Sequence, residues 1–108
     1  MSDNAKVARM QRLTIMLGTR DRSHHHSLAT EVLARAKKAH MAGATLLQAQ
    51  EGQGRSGTVH RQHLFSEDAS LSLIIVDSED KISALLSEID KMLGDALVIL
   101  DDVSAFRV

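Results

Sequence analysis

The sequence contains no cysteine, tryptophan or tyrosine and only two phenylalanines. Without cysteine, the chain has no thiolate ligand for zinc, no redox pair and no cysteine nucleophile. Two phenylalanines provide no platform on which successive bases of a single strand would stack. Thirteen Lys and Arg residues against fourteen Asp and Glu give a net charge of −1, so no positive field attracts polyanions. We therefore expect no nucleic-acid partner.

Long apolar runs are also missing. No segment approaches the roughly 18 residues of a membrane-spanning helix, and the start of the chain lacks the apolar stretch of a signal peptide. We therefore expect a soluble, cytoplasmic protein. Its 108 residues suit a single domain, which we place at residues 12–108, after a loosely ordered segment at residues 1–11.

The first half of this domain has the pattern strand, helix, strand. Alternating aliphatic residues predict a strand at 12–17, and helical spacing predicts a helix at 27–41 that Ser27 caps. Gly43 is predicted to adopt the left-handed conformation that closes the helix. A second, weaker strand follows at residues 44–50.

The second half repeats this order. A strand is predicted at 71–76, Asp77 is expected to cap the next helix, and Gly94 is expected to end it. The last strand is predicted at 97–100, with a bulge or bend at 101–102 and a continuation at 103–108. The helix has one continuous apolar stripe, formed by Ile82, Leu85, Leu86, Ile89, Met92 and Leu93.

Two βαβ units in one short chain predict an α+β, ferredoxin-like βαββαβ fold, with a four-stranded antiparallel sheet and two helices on one face. The helix-free face should then be polar, but the strands at 71–76 and 97–100 carry aliphatic residues on both faces. We therefore expect sheet-to-sheet self-association around a symmetry axis. A monomer with an unusually apolar sheet is the alternative.

A polar segment with several glycines separates the two halves at residues 51–70. We expect a mobile loop there. Residues 58–65 have enough β-forming side chains to make an extended arm within it.

Four stretches of the sequence, taken in order, resemble the uncharacterised PII-like proteins, which are relatives of the PII nitrogen-regulatory signal proteins. They are RLTIMLG, HMAGATLLQAQEGQGR, LSLIIVDSEDKISALLSEID and LVILDDVSAFRV. The resemblance covers about residues 12–108, and its most specific parts are the turns at 42–45 and 51–54 and the Val-Asp-Ser-Glu at 76–79. It implies a homotrimer that binds ATP, ADP or AMP in three clefts between subunits. It also implies that the long loop contacts a target protein, such as a transporter or an enzyme, and that no cofactor is covalently attached.

The resemblance assigns residues around the second strand to the nucleotide. Thr45 matches a threonine that faces the adenine, while Gly52 and Gly54 match glycines at the base of the loop, where the main chain approaches phosphates. Gln53 stands where an aromatic residue is usual. The neighbouring Arg55 is able to make bidentate contacts to a phosphate or carboxylate.

Further site residues are implied near the end of the chain. Gly94 and Asp95 lie where PII proteins have a glycine-rich phosphate loop, although Gly-Asp-Ala-Leu at 94–97 lacks the usual Gly-Asp-Gly-Lys run. Arg107 matches an arginine near the end of the last strand. Because the chain has no tyrosine, it lacks the residue that some PII proteins modify covalently.

Two other functions are compatible with the residues. His24, His25 and His26, or alternatively His60 and His63, would be the ligands of a metal-binding trimer, although neither set has zinc spacing with a nearby carboxylate. A ligand-free assembly module is the third interpretation. No nucleophile elbow, phosphate-binding Gly-Lys-Ser/Thr or convincing acid-base pair is present, so we do not expect an enzyme.

Overall fold

The computed structural model describes residues 7–18, 22–23, 26–48, 51–53, 59–61, 70–94 and 96–108, and for 22–23, 26, 51–53 and 59–61 it describes the backbone. The predicted ferredoxin-like fold is confirmed: four antiparallel strands form one sheet in the order β4-β7-β1-β8. The elements are β1 (Ala8–Gly18), β2 (Arg22–Ser23), β3 (His26–Ser27), α1 (Leu28–Lys38), β4 (Gly43–Gln48), β5 (Glu51–Gln53), β6 (Val59–Arg61), β7 (Ser70–Asp77), α2 (Glu79–Leu93) and β8 (Leu97–Ala105).

The core lies between the sheet and the two helices. Alternate residues of β1 and β7 face the helices because successive side chains of a strand point to opposite faces. The predicted apolar stripe of α2 packs on this face, with Leu86 and Met92 partly buried at its edges. The largest fully buried side chains are Leu13, Ile15, Leu73, Ile75, Ile82, Leu85, Ile89 and Val32.

The ends of both helices are held by local interactions. The hydroxyl of Ser27 caps α1 as predicted, accepting a hydrogen bond from the Thr30 backbone N–H at 3.4 Å. Gly94 ends α2 with a φ of 62°, which also agrees with the sequence. The prediction for Gly43 is wrong, because α1 ends at Lys38 and His40 is the residue that turns the chain, with a φ of 55°.

Asp77 is not the cap of α2. The cap is Ser78, whose hydroxyl accepts a hydrogen bond from the Lys81 backbone N–H at 3.3 Å. The Asp77 carboxylate instead accepts hydrogen bonds from the backbone N–H groups of Ser78, at 2.6 Å, and Ala42, at 2.8 Å. Asp77 therefore joins the end of β7 to the turn before β4.

The ladder between β1 and β8 is longer than expected. β1 begins at Ala8 rather than at Arg12, and it pairs with β8 without interruption, so the predicted bulge at 101–102 is wrong. The two acidic residues remain in the ladder because each meets a cross-strand partner. Arg12 makes two hydrogen bonds to Asp101, of 2.6 and 3.2 Å, and the Gln11 amide donates to Asp102 at 3.4 Å.

The predicted loop at 51–70 contains a short antiparallel ribbon. β5 pairs with β6, with Gly52 opposite His60, and β6 lies within the extended arm predicted at 58–65. Residues 54–58 and 62–69 lie outside the described residues. β4 ends at Gln48, and the last two residues of the strand predicted at 44–50 also fall outside the described part.

The helix-free face of the sheet carries exposed aliphatic side chains, as the sequence predicts. Leu47, Leu97 and Ile99 are 51%, 62% and 44% exposed on it, and Met16 lies between them. Among the described residues, no helix is both long enough and apolar enough to cross a membrane.

Candidate functional site

A cavity of about 520 Å³ opens at one end of the sheet, on the helix-free face. It forms because β7 stops at Asp77, opposite Gln11, while β1 continues to Ala8 and is still paired with β8. Its volume is in the range of roughly 300–1,000 Å³ that is typical of small-molecule sites. The lining residues are Ala8, Met10, Ala42, Gly43, Val76, Ala105, Phe106 and Arg107.

The lining of this pocket is mostly small and apolar. Three alanines and Gly43 leave the space open, and Val76 and Met10 supply further apolar surface. Among the described residues of the lining, Arg107 is the one that carries a charge. The pocket therefore suits a ligand that combines a flat apolar part with an anionic group.

Arg107 reaches across the pocket to the turn before β4. Its Nη2 donates a hydrogen bond to the Ala42 carbonyl at 3.1 Å, while the Ala42 N–H donates to Asp77 on the other side. Lys81 donates to the carbonyl of the neighbouring His40 at 2.9 Å. Charged side chains from β7, from α2 and from the residues after β8 thus hold the turn that forms one wall of the pocket.

Asp77 is the charged residue buried in the described part of the chain, with 8% of its surface exposed. Burial opposes its ionisation, but hydrogen bonds from the Ser78 and Ala42 N–H groups, together with Lys81 3.4 Å away, outweigh this effect. The net result is a pKa for Asp77 below its ordinary value. The carboxylate is therefore held in its ionised form beside the pocket.

Two of the predicted site residues lie at or near this pocket. Arg107 is part of the lining. Thr45 is exposed on the same face of β4, two residues beyond Gly43 and paired with Ile74. Thr45 is not itself a lining residue, but at roughly 3.4 Å per residue it stands about 7 Å from Gly43.

The other predicted residues lie at the opposite end of the sheet or outside the described part. Gly94 ends α2 shortly before Leu97, which pairs with Met16, whereas Arg107 follows Ala105, which pairs with Ala8. The Met16–Leu97 pair and the Ala8–Ala105 pair are eight residues apart along β1, a distance of about 27 Å. This distance exceeds the length of ADP. Gly52 and Gln53 lie in β5, beyond the Gln48 end of β4. Outside the described residues are Gly54, Arg55 and Asp95.

The histidines proposed as metal ligands are only partly placed. His24, His25 and His63 lie outside the described residues, and of His26 and His60 the backbone is described, in β3 and β6. Within the described ranges, no three His, Asp or Glu side chains are grouped so as to hold a metal ion.

Several residues of the pocket were not identified from the sequence as ligand contacts. Ala42 and Gly43 belong to the Ala-Gly-Ala-Thr turn, one of the most specific parts of the resemblance. Their small size was the feature of the sequence that could have indicated a pocket there. Val76 and Phe106 come from distant parts of the chain, and the sequence carries no indication that they meet. Phe106 is a residue type that is rare in this chain, and it immediately precedes Arg107.

Two other cavities differ in chemistry. One of about 340 Å³ is lined by charges of both signs, namely Arg9, Glu79 and Asp102. The other, of about 460 Å³, lies between α2 and β8, with Asp90 but no Lys or Arg among the described residues that line it. Neither combines an apolar wall with a single cation, so the Arg107 pocket is the candidate site.

Comparison with known proteins identifies the family of the chain. Residues 10–105 match the family described as Uncharacterized ACR, COG1993, or DUF190. The chain belongs to the DUF190 family. This DUF190 protein is 36% identical over 74 residues to a UPF0166 protein of Aquifex aeolicus (strain VF5), an alignment that covers 67% of this chain and 70% of that protein.

The DUF190 chain is also similar to solved PII-like structures, which confirms the resemblance. CPII from Thiomonas intermedia K12, a nitrogen regulatory PII-like protein solved with ADP, AMP and bicarbonate, superposes with a TM-score of 0.67 at 26% identity, covering 94% of this chain and 92% of CPII. A PII-like protein from Thermus thermophilus has the same fold, with a TM-score of 0.63 at 16% identity over 94% of this chain and 92% of that one.

Proposed function

We propose that this DUF190 protein is a non-enzymatic, cytoplasmic PII-like regulator that binds an adenine nucleotide, ADP or AMP, in the Arg107 pocket. The observation that carries this proposal is the combination of an apolar cavity of about 520 Å³ with one arginine at its edge. The similarity to CPII, whose structure contains ADP and AMP, supports the same ligand class.

The chemistry of the pocket matches the two parts of a nucleotide. The base enters the apolar cavity between Val76 and Phe106, where burial of its surface favours binding. Arg107 exchanges its hydrogen bond to the Ala42 carbonyl for a charge-assisted bond to a phosphate, which is shorter and stronger than a bond to a neutral carbonyl.

The binding cleft is completed by a second copy of the chain in a homotrimer. Gly94 lies at the end of the sheet remote from Arg107, and Gly52 follows the Gln48 end of β4 in the sequence. We infer that a single chain does not bring all three residues to one nucleotide. A neighbouring subunit supplies them. The apolar face supports this arrangement, because burial of about six aliphatic side chains contributes on the order of 10 kcal/mol before ordering costs.

Regulation acts through the segment at 51–70, which contacts a target protein. A nucleotide that binds better when this segment has one arrangement shifts the population of subunits toward it. The ribbon of β5 and β6 lies at the start of this segment. Because the neighbouring subunit supplies this ribbon to the cleft, a bound nucleotide is in a position to influence it.

Titration calorimetry with AMP, ADP and ATP tests the nucleotide part of the proposal. Arg107→Gln should abolish or strongly weaken binding. Arg9→Gln is the matched control, because Arg9 lies at the same end of β1 but lines a different cavity. Absence of both heat and thermal stabilisation with all three nucleotides in the wild-type chain would remove the proposal.

A mixing experiment tests the shared cleft. Arg107→Gln and Gly52→Glu chains, each unable to bind alone, are unfolded together and refolded as mixed assemblies. Some clefts then combine an intact Arg107 with an intact Gly52, so nucleotide binding should return in part. No recovery from assembled mixtures would show that both residues act within one subunit, which contradicts the shared cleft.

A further inference from the structure

Phe106 is the one phenylalanine in the described part of the chain, and it lines the Arg107 pocket. We propose that the Phe106 ring forms one face of the slot that holds the base, so that it selects ligands with a planar ring. This inference rests on the nucleotide-binding function proposed above, and it adds a residue that the resemblance does not assign.

The Phe106 side chain is placed at the pocket without being used by the core. It is 49% exposed, so about half of its apolar surface lacks a partner in the single chain. Its neighbours in the lining include Ala8, Gly43 and Ala105, which are too small to fill the space beside a ring. The geometry therefore leaves room for a flat group against Phe106.

The backbone just before Phe106 is held by the sheet. Ala105 is the last paired residue of β8, opposite Ala8. A ring that is already positioned loses little conformational freedom when a ligand binds, and such preorganisation favours affinity. The adjacent residues 106 and 107 thus present a ring surface and a cation, which correspond to the base and the phosphate of one nucleotide.

One polar group of the nearby turn is not available to a base. The N–H of Ala42 donates to the Asp77 carboxylate, so it is not free to read the edge of a base unless that bond breaks. Stacking on an aromatic ring does not depend on such groups, because every base has a π-face.

Phe106→Leu tests the role of the ring while it keeps an apolar side chain at the position. Calorimetry compares AMP with ribose 5-phosphate, which has the sugar and phosphate but no base. We expect Phe106→Leu to bind AMP roughly tenfold more weakly than the wild-type chain and to bind ribose 5-phosphate within about twofold of it. Arg107→Gln should weaken both ligands. Thermal unfolding of each variant verifies that it folds.

Phe106→Trp provides an independent signal. The natural chain has no tryptophan or tyrosine, so the new indole is the main source of its intrinsic fluorescence. Because the indole keeps an aromatic face, this variant should still bind AMP. Stacking of adenine should quench the emission, and ribose 5-phosphate at saturating concentration should leave it unchanged.

The outcomes separate this inference from the function on which it rests. If folded Phe106→Leu binds AMP as tightly as the wild type, the stacking role is wrong and nucleotide binding stands. Equal losses for AMP and ribose 5-phosphate would also overturn the stacking role, because that pattern indicates general packing. If the wild-type chain binds neither ADP nor AMP, both proposals fall.

Discussion

The Asp77 carboxylate accepts a hydrogen bond from the backbone N–H of Ala42, 35 residues away in sequence, with 2.8 Å between Oδ2 and the nitrogen. Asp77→Ala removes this bond together with the bond to Ser78. We expect a loss of about 1–3 kcal/mol in the free energy of unfolding, because two N–H groups lose their acceptor. Urea unfolding measures the loss. Asp80→Ala, an exposed change in the first turn of α2, is the control with the smaller expected effect.

The contribution of Asp77 should depend on pH. Because the folded-state pKa lies below the ordinary value of 3.8, the carboxylate stabilises the fold fully above that value, and this stabilisation is lost as pH falls through the folded pKa. The stability difference between the wild type and Asp77→Asn should therefore be constant from pH 5 upward and should shrink below about pH 4. A difference that grows on acidification would contradict this assignment.

The apolar sheet face can be tested with two adjacent residues of β8. Ile99 and Leu100 are almost equally exposed, at 44% and 45%, but Ile99 lies on the helix-free face and Leu100 on the helix face, beside Leu13. Sedimentation velocity should find that Ile99→Lys dissociates the proposed trimer and that Leu100→Lys does not. Wild-type monomers at micromolar concentration, or equal effects of the two changes, would contradict a sheet-to-sheet interface.

Gly43→Ala should separate ligand binding from folding. A Cβ at Gly43 would lie 3.8 Å from the Val76 Cβ, which is ordinary contact, so the free energy of unfolding should stay within about 0.5 kcal/mol. The added methyl group narrows the pocket, and we expect AMP affinity to fall about tenfold, or roughly 1.4 kcal/mol. Ala44→Val adds bulk on the other face of β4 and should leave AMP binding unchanged.

Gly94→Ala, unlike Gly43→Ala, should lower the stability of the fold. Gly94 has a φ of 62° and a ψ of −119°, a conformation that residues with a Cβ rarely adopt. The substitution should cost about 1–3 kcal/mol in the free energy of unfolding, measured by urea denaturation. An unchanged midpoint would indicate that the α2–β8 turn relaxes without strain.

Local features of the sequence predicted most of the elements. The period of the apolar residues identified the central strands and the buried stripe of α2, and the predictions for Ser27 and Gly94 were confirmed because a cap and a closing glycine depend on residues within one turn of the helix. The apolar character of the second sheet face was predicted for the same reason, since alternation along one strand assigns its residues to faces.

Predictions failed where a distant partner decided the local structure. The acidic pair at 101–102 suggested a bend, but Arg12 and Gln11 hold it in the ladder. Asp77 looked like a helix cap, but its second bond goes to Ala42.

The residues of the candidate pocket were likewise predicted only in part. Arg107 was identified from the resemblance, whereas Phe106 and Val76 emerged only from the structure. They line one cavity because β7 stops opposite Gln11 and β1 continues.

The sequence by itself determined most of the segments that form strands and helices, which of their faces carry apolar residues, and which family the chain resembles, because each of these depends on spacing along the chain. Tertiary structure alone decided where the sheet leaves a cavity, which carboxylate holds its wall, and that Gly94 and Arg107 lie at opposite ends. These features depend on pairing between residues up to 97 positions apart, and periodicity along the chain carries no information about such partners.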